Sequence, residues 1–171
     1  MSEVCDNELV VFSTEQGIKD VIRWMLKNLE DAEMLDPSEV PGESASVAEL
    51  ESCIRRATND SPTTLRAIAS GGEFETECSE YGSAWVSKLD DLVWQLEYSF
   101  QTIWSSANFE PTAPKTTEPR IVLARWKHEY DPFPDEGAYA NDGTGEWELW
   151  DHLDYEYGKP DCYISAFYEM I

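Results

Sequence analysis

Apolar residues recur along this chain with two different periods, and those periods predict its elements. Leu9-Val10-Val11-Phe12 is an unbroken apolar run ending at Ser13-Thr14, the pattern of a buried strand. Ser13 and Gln16 then stand at capping-box spacing. Ile18, Val21, Ile22, Met25, Leu26 and Leu29 follow at i, i+3, i+4, i+7, i+8 and i+11, which predicts a one-faced helix. Gly17 in its first turn weakens that helix only slightly. Ser46 and Glu49 form a second capping box ahead of Val47, Leu50, Ile54 and Ala57, again at helical spacing. Ser61-Pro62 opens a further short helix through Leu65 and Ile68, which Gly71-Gly72 ends.

From residue 73 the period changes. Phe74, Thr76 and Cys78 alternate with Glu73, Glu75 and Glu77, predicting a strand with a charged outer face. Ser87 and Asp90 open a predicted helix over 89–104. Leu89, Leu92, Val93, Leu96, Phe100, Ile103 and Trp104 form its stripe, with Trp94 and Tyr98 off it. Residues 121–130 read as a strand and residues 131–145 as a long acidic turn region. Asn141-Asp142-Gly143 is a hairpin signal. Residues 145–157 alternate once more. Trp147, Leu149, Leu153 and Tyr155 share one parity, and Glu146, Glu148, Asp154 and Glu156 share the other with Trp150 and His152. Residues 162–171 fit either a strand or a short helix, with strand the preferred reading.

The element order predicts one α+β domain over 1–171. Helices pack on one face of an antiparallel sheet, and residues 32–72 form a helical insertion. The opening Cys5-Asp6-Asn7-Glu8-Leu9-Val10-Val11 resembles the Cys-x-Asn-x-Leu start of the YubB-type domain family of conjugative-plasmid and phage proteins. Ser83-Ala84-Trp85 is similar to that family's second landmark. Val4 stands where the family has Trp, and Val86-Ser87-Lys88 replaces its prolines. The resemblance implies a ferredoxin-like fold and a mobile-element origin. It brings no established catalytic residues.

Charge adds a constraint on partners. The 171 residues hold 35 Asp+Glu against 12 Lys+Arg, a formal net charge of −23, where a magnitude of about 2–8 is ordinary for a small domain. Aromatic residues make up 12% of the chain, enough to build a core and exclude an acidic disordered segment. The acid is uneven. Residues 1–80 carry 18 acids and 6 bases, residues 81–126 carry 5 and 4, and residues 127–171 carry 12 and 2. Such a chain repels nucleic acid and anionic membrane and attracts basic surfaces. An acidic start and the lack of an apolar run near the roughly 18 residues of a span predict a protein of the host cell cytoplasm.

Candidate chemistry is sparse. Cys5, Cys53, Cys78 and Cys162 show no CxxC spacing and read as free thiols, with a zinc site including His128 or His152 the minor alternative. The acids of 30–36 and of 131–142 are close enough to bind Ca²⁺, but Ala138 and Ala140 occupy ligand positions of a calcium-loop register in the second, and solvated loop acid is the preferred reading of both. No catalytic motif occurs, so the chain reads as a non-enzyme without a cofactor. The acidic strand rows Glu73/Glu75/Glu77 and Glu146/Glu148/Asp154/Glu156 remain. Alternate side chains on a strand stand about 6.7 Å apart, comparable to phosphates along a nucleic-acid strand. The rows are then either a solvated sheet face or an imitation of a phosphate backbone, with Trp150 as an anchor. The second reading predicts binding to a basic nucleic-acid-binding protein: a CRISPR effector, a restriction enzyme or a nuclease. An immunity protein neutralising a basic nuclease toxin is the alternative.

Overall fold

The computed structural model describes residues 4–31, 33, 35–59, 83–103, 116–128, 135–141, 148–149, 165 and 167–169. Strand β1 (Val4–Ser13) leads into helix α1 (Glu15–Asp31), a 3-10 turn (Pro37–Glu39) and helix α2 (Val47–Asn59). Strands β2 (Ser83–Lys88), β3 (Trp94–Ile103), β4 (Arg120–His128), β5 (Asp135–Asn141) and β6 (Glu148–Leu149) follow. They form one sheet in the order β2-β3-β1-β4-β5-β6, every neighbouring pair antiparallel. The first four positions, β2-β3-β1-β4, are the strand order of a ferredoxin-like fold. Strands β5 and β6 extend that sheet on the β4 side.

The expected α+β architecture is present. Strand β1 is central and apolar on both faces, so it reads as a continuous run rather than an alternation. Leu9 and Val11 enter a core with Ile18, Val21, Ile22, Met25, Leu26 and Leu29 of α1 and Val47, Leu50, Cys53, Ile54 and Ala57 of α2. The predicted faces of both helices are therefore the buried ones. The predicted Ser46/Glu49 box also forms: the Glu49 N–H donates to Ser46 Oγ at 3.2 Å, and the Ser46 N–H donates to the Glu49 carboxylate at 3.1 Å. Val10 and Phe12 point to the other face and join Val93, Ile121, Leu123 and Phe167.

Four expectations need correction. Residues 89–103 of the expected helix do not form one; 83–103 is the β2–β3 hairpin. Asp90 closes its turn, its carboxylate accepting from the N–H groups of Leu92 (2.9 Å) and Val93 (2.7 Å), while the Leu89 N–H donates to the Val93 carbonyl at 2.9 Å. Trp94, Leu96 and Tyr98, which do not share a helical stripe, share one strand face and pack on the helix-side core. The helix-like spacing of Leu89, Leu92, Val93 and Leu96 gave way to that alternation and to pairing with β1 and β2.

The second correction is the α1 cap. Thr14, not Ser13, performs it: the Gly17 N–H donates to Thr14 Oγ1 at 3.1 Å. Ser13 is the last residue of β1, fully buried, and its hydroxyl donates to the Pro119 carbonyl at 2.6 Å. Gly17 is required at this junction, because a Cβ there would lie 1.8 Å from Ser13 Oγ.

The third concerns residues 131–145. Residues 135–141 of that region are strand β5, paired with β4 from Val122↔Asn141 to His128↔Asp135. Strand β5 then pairs with β6, Tyr139 opposite Leu149 and Ala140 opposite Glu148, while Asp142 and Gly143 of the expected turn lie outside the described residues. Last, residues 167–169 are helical rather than extended, and the Phe167 side chain is fully buried on the face away from α1 and α2. The expected helix at 61–68 and strand at 73–81 lie outside the described residues.

Candidate functional site

No Asp or Glu with a described side chain is buried. The charge is therefore available at the surface, and most of the exposed acid in the described residues sits in the helical layer. Glu30 and Asp31 end α1, and both face Lys27, at 3.5 Å and 3.0 Å. That pairing raises the Lys27 ammonium pKa, Asp31 being the main cause. Glu33, with φ of 59°, turns the chain out of the helix. Asp36 caps the 3-10 turn through the Ser38 N–H at 2.9 Å, and that hydrogen bond holds its carboxyl below the usual range. Glu39, Glu43 and Glu49 continue the exposed series to the start of α2. Arg23 fixes this stretch by donating to the carbonyls of Pro41 (3.2 Å) and Gly42 (2.5 Å).

The last turn of α1 has acids and no base. A helix C-terminus carries partial negative charge, so carboxylates there oppose the helix dipole by about 0.3–1 kcal/mol each at low salt. Both carboxylates pair with Lys27 one turn earlier, which offsets part of that cost.

Of the sequence-predicted binding residues, Glu148 is described. It lies opposite Ala140 in β6. Following the register across the sheet gives the row Trp85, Glu97, Val10, Leu123, Ala140, Glu148. Val10 and Leu123 of that row belong to the cluster on the face away from α1 and α2. Glu148 thus shares a cross-strand row with a second acid, Glu97, and with Trp85. Glu73, Glu75, Glu77, Glu146, Trp150, Asp154 and Glu156 lie outside the described residues.

Sequence reasoning missed Trp85 as a surface residue. It is 54% exposed, and the Arg55 guanidinium lies 3.8 Å from its ring centroid. No signal in the sequence marked it, because its contact with Arg55 exists only once α2 lies beside β2. A second exposed aromatic, Tyr168, donates its hydroxyl to Asp90 at 2.8 Å. The Val93 N–H, then the Leu92 N–H and this phenol, hold the Asp90 carboxyl below its usual range, while Asp90 pushes the Tyr168 phenol up.

Other chemistry is limited. Cys53 is a buried thiol donating to the Glu39 carbonyl at 3.6 Å, and burial pushes its pKa up, the opposite of an activated nucleophile. Among the described residues no three His, Cys, Asp or Glu side chains come together to hold a metal ion, and no helix is long and apolar enough to cross a membrane. Comparison with known proteins gave no matching family model, curated relative or solved structure.

Proposed function

We propose that this chain is an acidic phage or plasmid inhibitor of a nucleic-acid-binding defence protein, of the anti-CRISPR or anti-restriction kind. It acts by stoichiometric binding in a basic DNA or RNA groove, without catalysis. The observation that carries this reading is a net charge of −23 on an α+β fold in which none of the Asp and Glu residues with a described side chain is buried. A folded acidic surface presents its charge without first having to be ordered, which lowers the cost of binding. The resemblance of residues 5–11 and 83–85 to a mobile-element family supports the same reading. Glu73, Glu75, Glu77, Glu146, Glu148, Asp154 and Glu156, with Trp150, form the proposed contact set.

Charge reversal tests it. Lysine substitutions in the strand set, and separately at Asp31, Glu33, Asp36 and Glu39 in the helical layer, should locate the contact face. The account expects at least one set to abolish inhibition of a CRISPR effector or restriction enzyme while the fold is kept. Unchanged inhibition with both sets reversed would sink it. Inhibition confined to nuclease toxins would instead identify an immunity protein.

A further inference from the structure

Among the described residues β2 is the end strand of the sheet, and α2 lies against it. An edge strand offers unpaired N–H and C=O groups that template pairing with another chain. Here two of those groups are taken. The Val86 N–H donates to the Glu51 carboxylate, and Arg55 Nε donates to the Ala84 carbonyl at 2.8 Å. The two groups flank Trp85. A carboxylate oxygen and a guanidinium N–H thereby stand where two residues of an added antiparallel strand would place a carbonyl and an amide. Two further contacts hold the pair rigid: Glu51 and Arg55 meet at 3.6 Å one helical turn apart, and the guanidinium stacks on Trp85.

We propose that Glu51 and Arg55 form an edge cap that prevents β2 from pairing with β2 of a second copy of this chain. The charge pattern selects that occupant. Ser83-Ala84-Trp85-Val86-Ser87-Lys88 contains no acid and one base, and its centre is apolar. In a chain of net −23, this strand lets two copies approach without opposing carboxylates on the paired strands. An antiparallel β2–β2 contact is self-complementary and closes about a two-fold axis. The remaining obstacle is long-range repulsion, which salt screens to about 3 Å at 1 M. This inference stands apart from the proposed function.

The test compares the full chain with Glu51→Ala/Arg55→Ala by sedimentation across protein concentration, in low and high salt. Exchange of the Val86 amide is followed alongside. The cap predicts a protected Val86 amide in the wild type, although it points away from the sheet. It also predicts that the double variant self-associates in high salt at least about fivefold more tightly than wild type, the factor that one ordinary net hydrogen bond supplies. Adding Val86→Pro to the double variant removes the edge N–H and should abolish the gain. A double variant that folds and keeps the wild-type mass under all conditions overturns the proposal, as does association that survives Val86→Pro. If the double variant does not fold, Arg55→Lys decides. It keeps the charge but loses the planar fork, so it should self-associate more than wild type, and equal masses contradict the cap.

Discussion

Tyr168 donates its hydroxyl to the Asp90 carboxylate at 2.8 Å, joining the C-terminal helical turn to the turn of the β2–β3 hairpin. The contact has two pH limits. The Asp90 carboxyl is held below its unfolded value, so its contribution is complete above the unfolded pKa of about 4 and is lost as pH falls through the folded value. The Tyr168 phenol is raised, so its contribution is complete below about pH 10 and is lost as pH rises through the folded value. Tyr168→Phe should reduce the alkaline dependence and leave most of the acid dependence, because Asp90 keeps the Leu92 and Val93 N–H donors. Denaturation midpoints across pH check this. Identical alkaline limbs in wild type and variant would show that the contact does not form.

Phe167 fills the core on the far face of the sheet, against Val10, Phe12, Val93, Ile121 and Leu123. Phe167→Ala should cost about 3–5 kcal/mol, the range for truncating a buried aromatic side chain. Urea unfolding reads the loss directly. A cost below that of an ordinary surface substitution would mean that the C-terminal turn does not cover this face.

Gly17→Ala reverses the usual order of helix propensity. Alanine in a helix is ordinarily better than glycine by about 1 kcal/mol. The new Cβ would here meet Ser13 Oγ at 1.8 Å and Ser13 Cβ at 2.8 Å. Ser13 is buried and tied to Pro119, so it has no room to swing away. The variant should lose about 1–3 kcal/mol, the ordinary range for overpacking. A stabilised variant in chemical denaturation would refute the close junction.

Ser46→Ala removes one half of the α2 capping box. The expected loss is about 1 kcal/mol, with raised amide exchange at Glu49, whose N–H donates to the Ser46 hydroxyl. Because α2 carries Glu51 and Arg55, the variant should keep its Val86 protection if only the first turn frays. Global loss of protection would show that the box holds the whole helix.

How much of this was legible in the sequence depended on whether one period dominated. In α1 every position of the Ile18-to-Leu29 stripe is buried, and nothing in the segment competes with the helical reading. In 89–104 two periods overlapped. Leu89, Leu92, Val93 and Leu96 fit a helix, while Trp94, Leu96 and Tyr98 fit a strand. Only the Asp90 turn and the pairing of β3 with β1 and β2 decide between them. Ser13 and Thr14 are both good caps by type, and burial of Ser13 against Pro119 assigns the role to Thr14. In the site, the excess of surface acid was legible as charge and Glu148 as a strand position. The role of Glu51 and Arg55 was not: at i,i+4 they read as a surface ion pair until β2 lies alongside.

The central claim is that this acidic surface engages a basic nucleic-acid groove. The most direct measurement is capture of host proteins on the immobilised full chain at low salt, followed by elution with rising salt and, separately, with duplex DNA or RNA. The account predicts one nucleic-acid-binding enzyme, released as salt screens the contact and displaced by the nucleic acid that normally fills its groove. Recovery of no basic nucleic-acid-binding protein, or of one that neither salt nor nucleic acid releases, would contradict it.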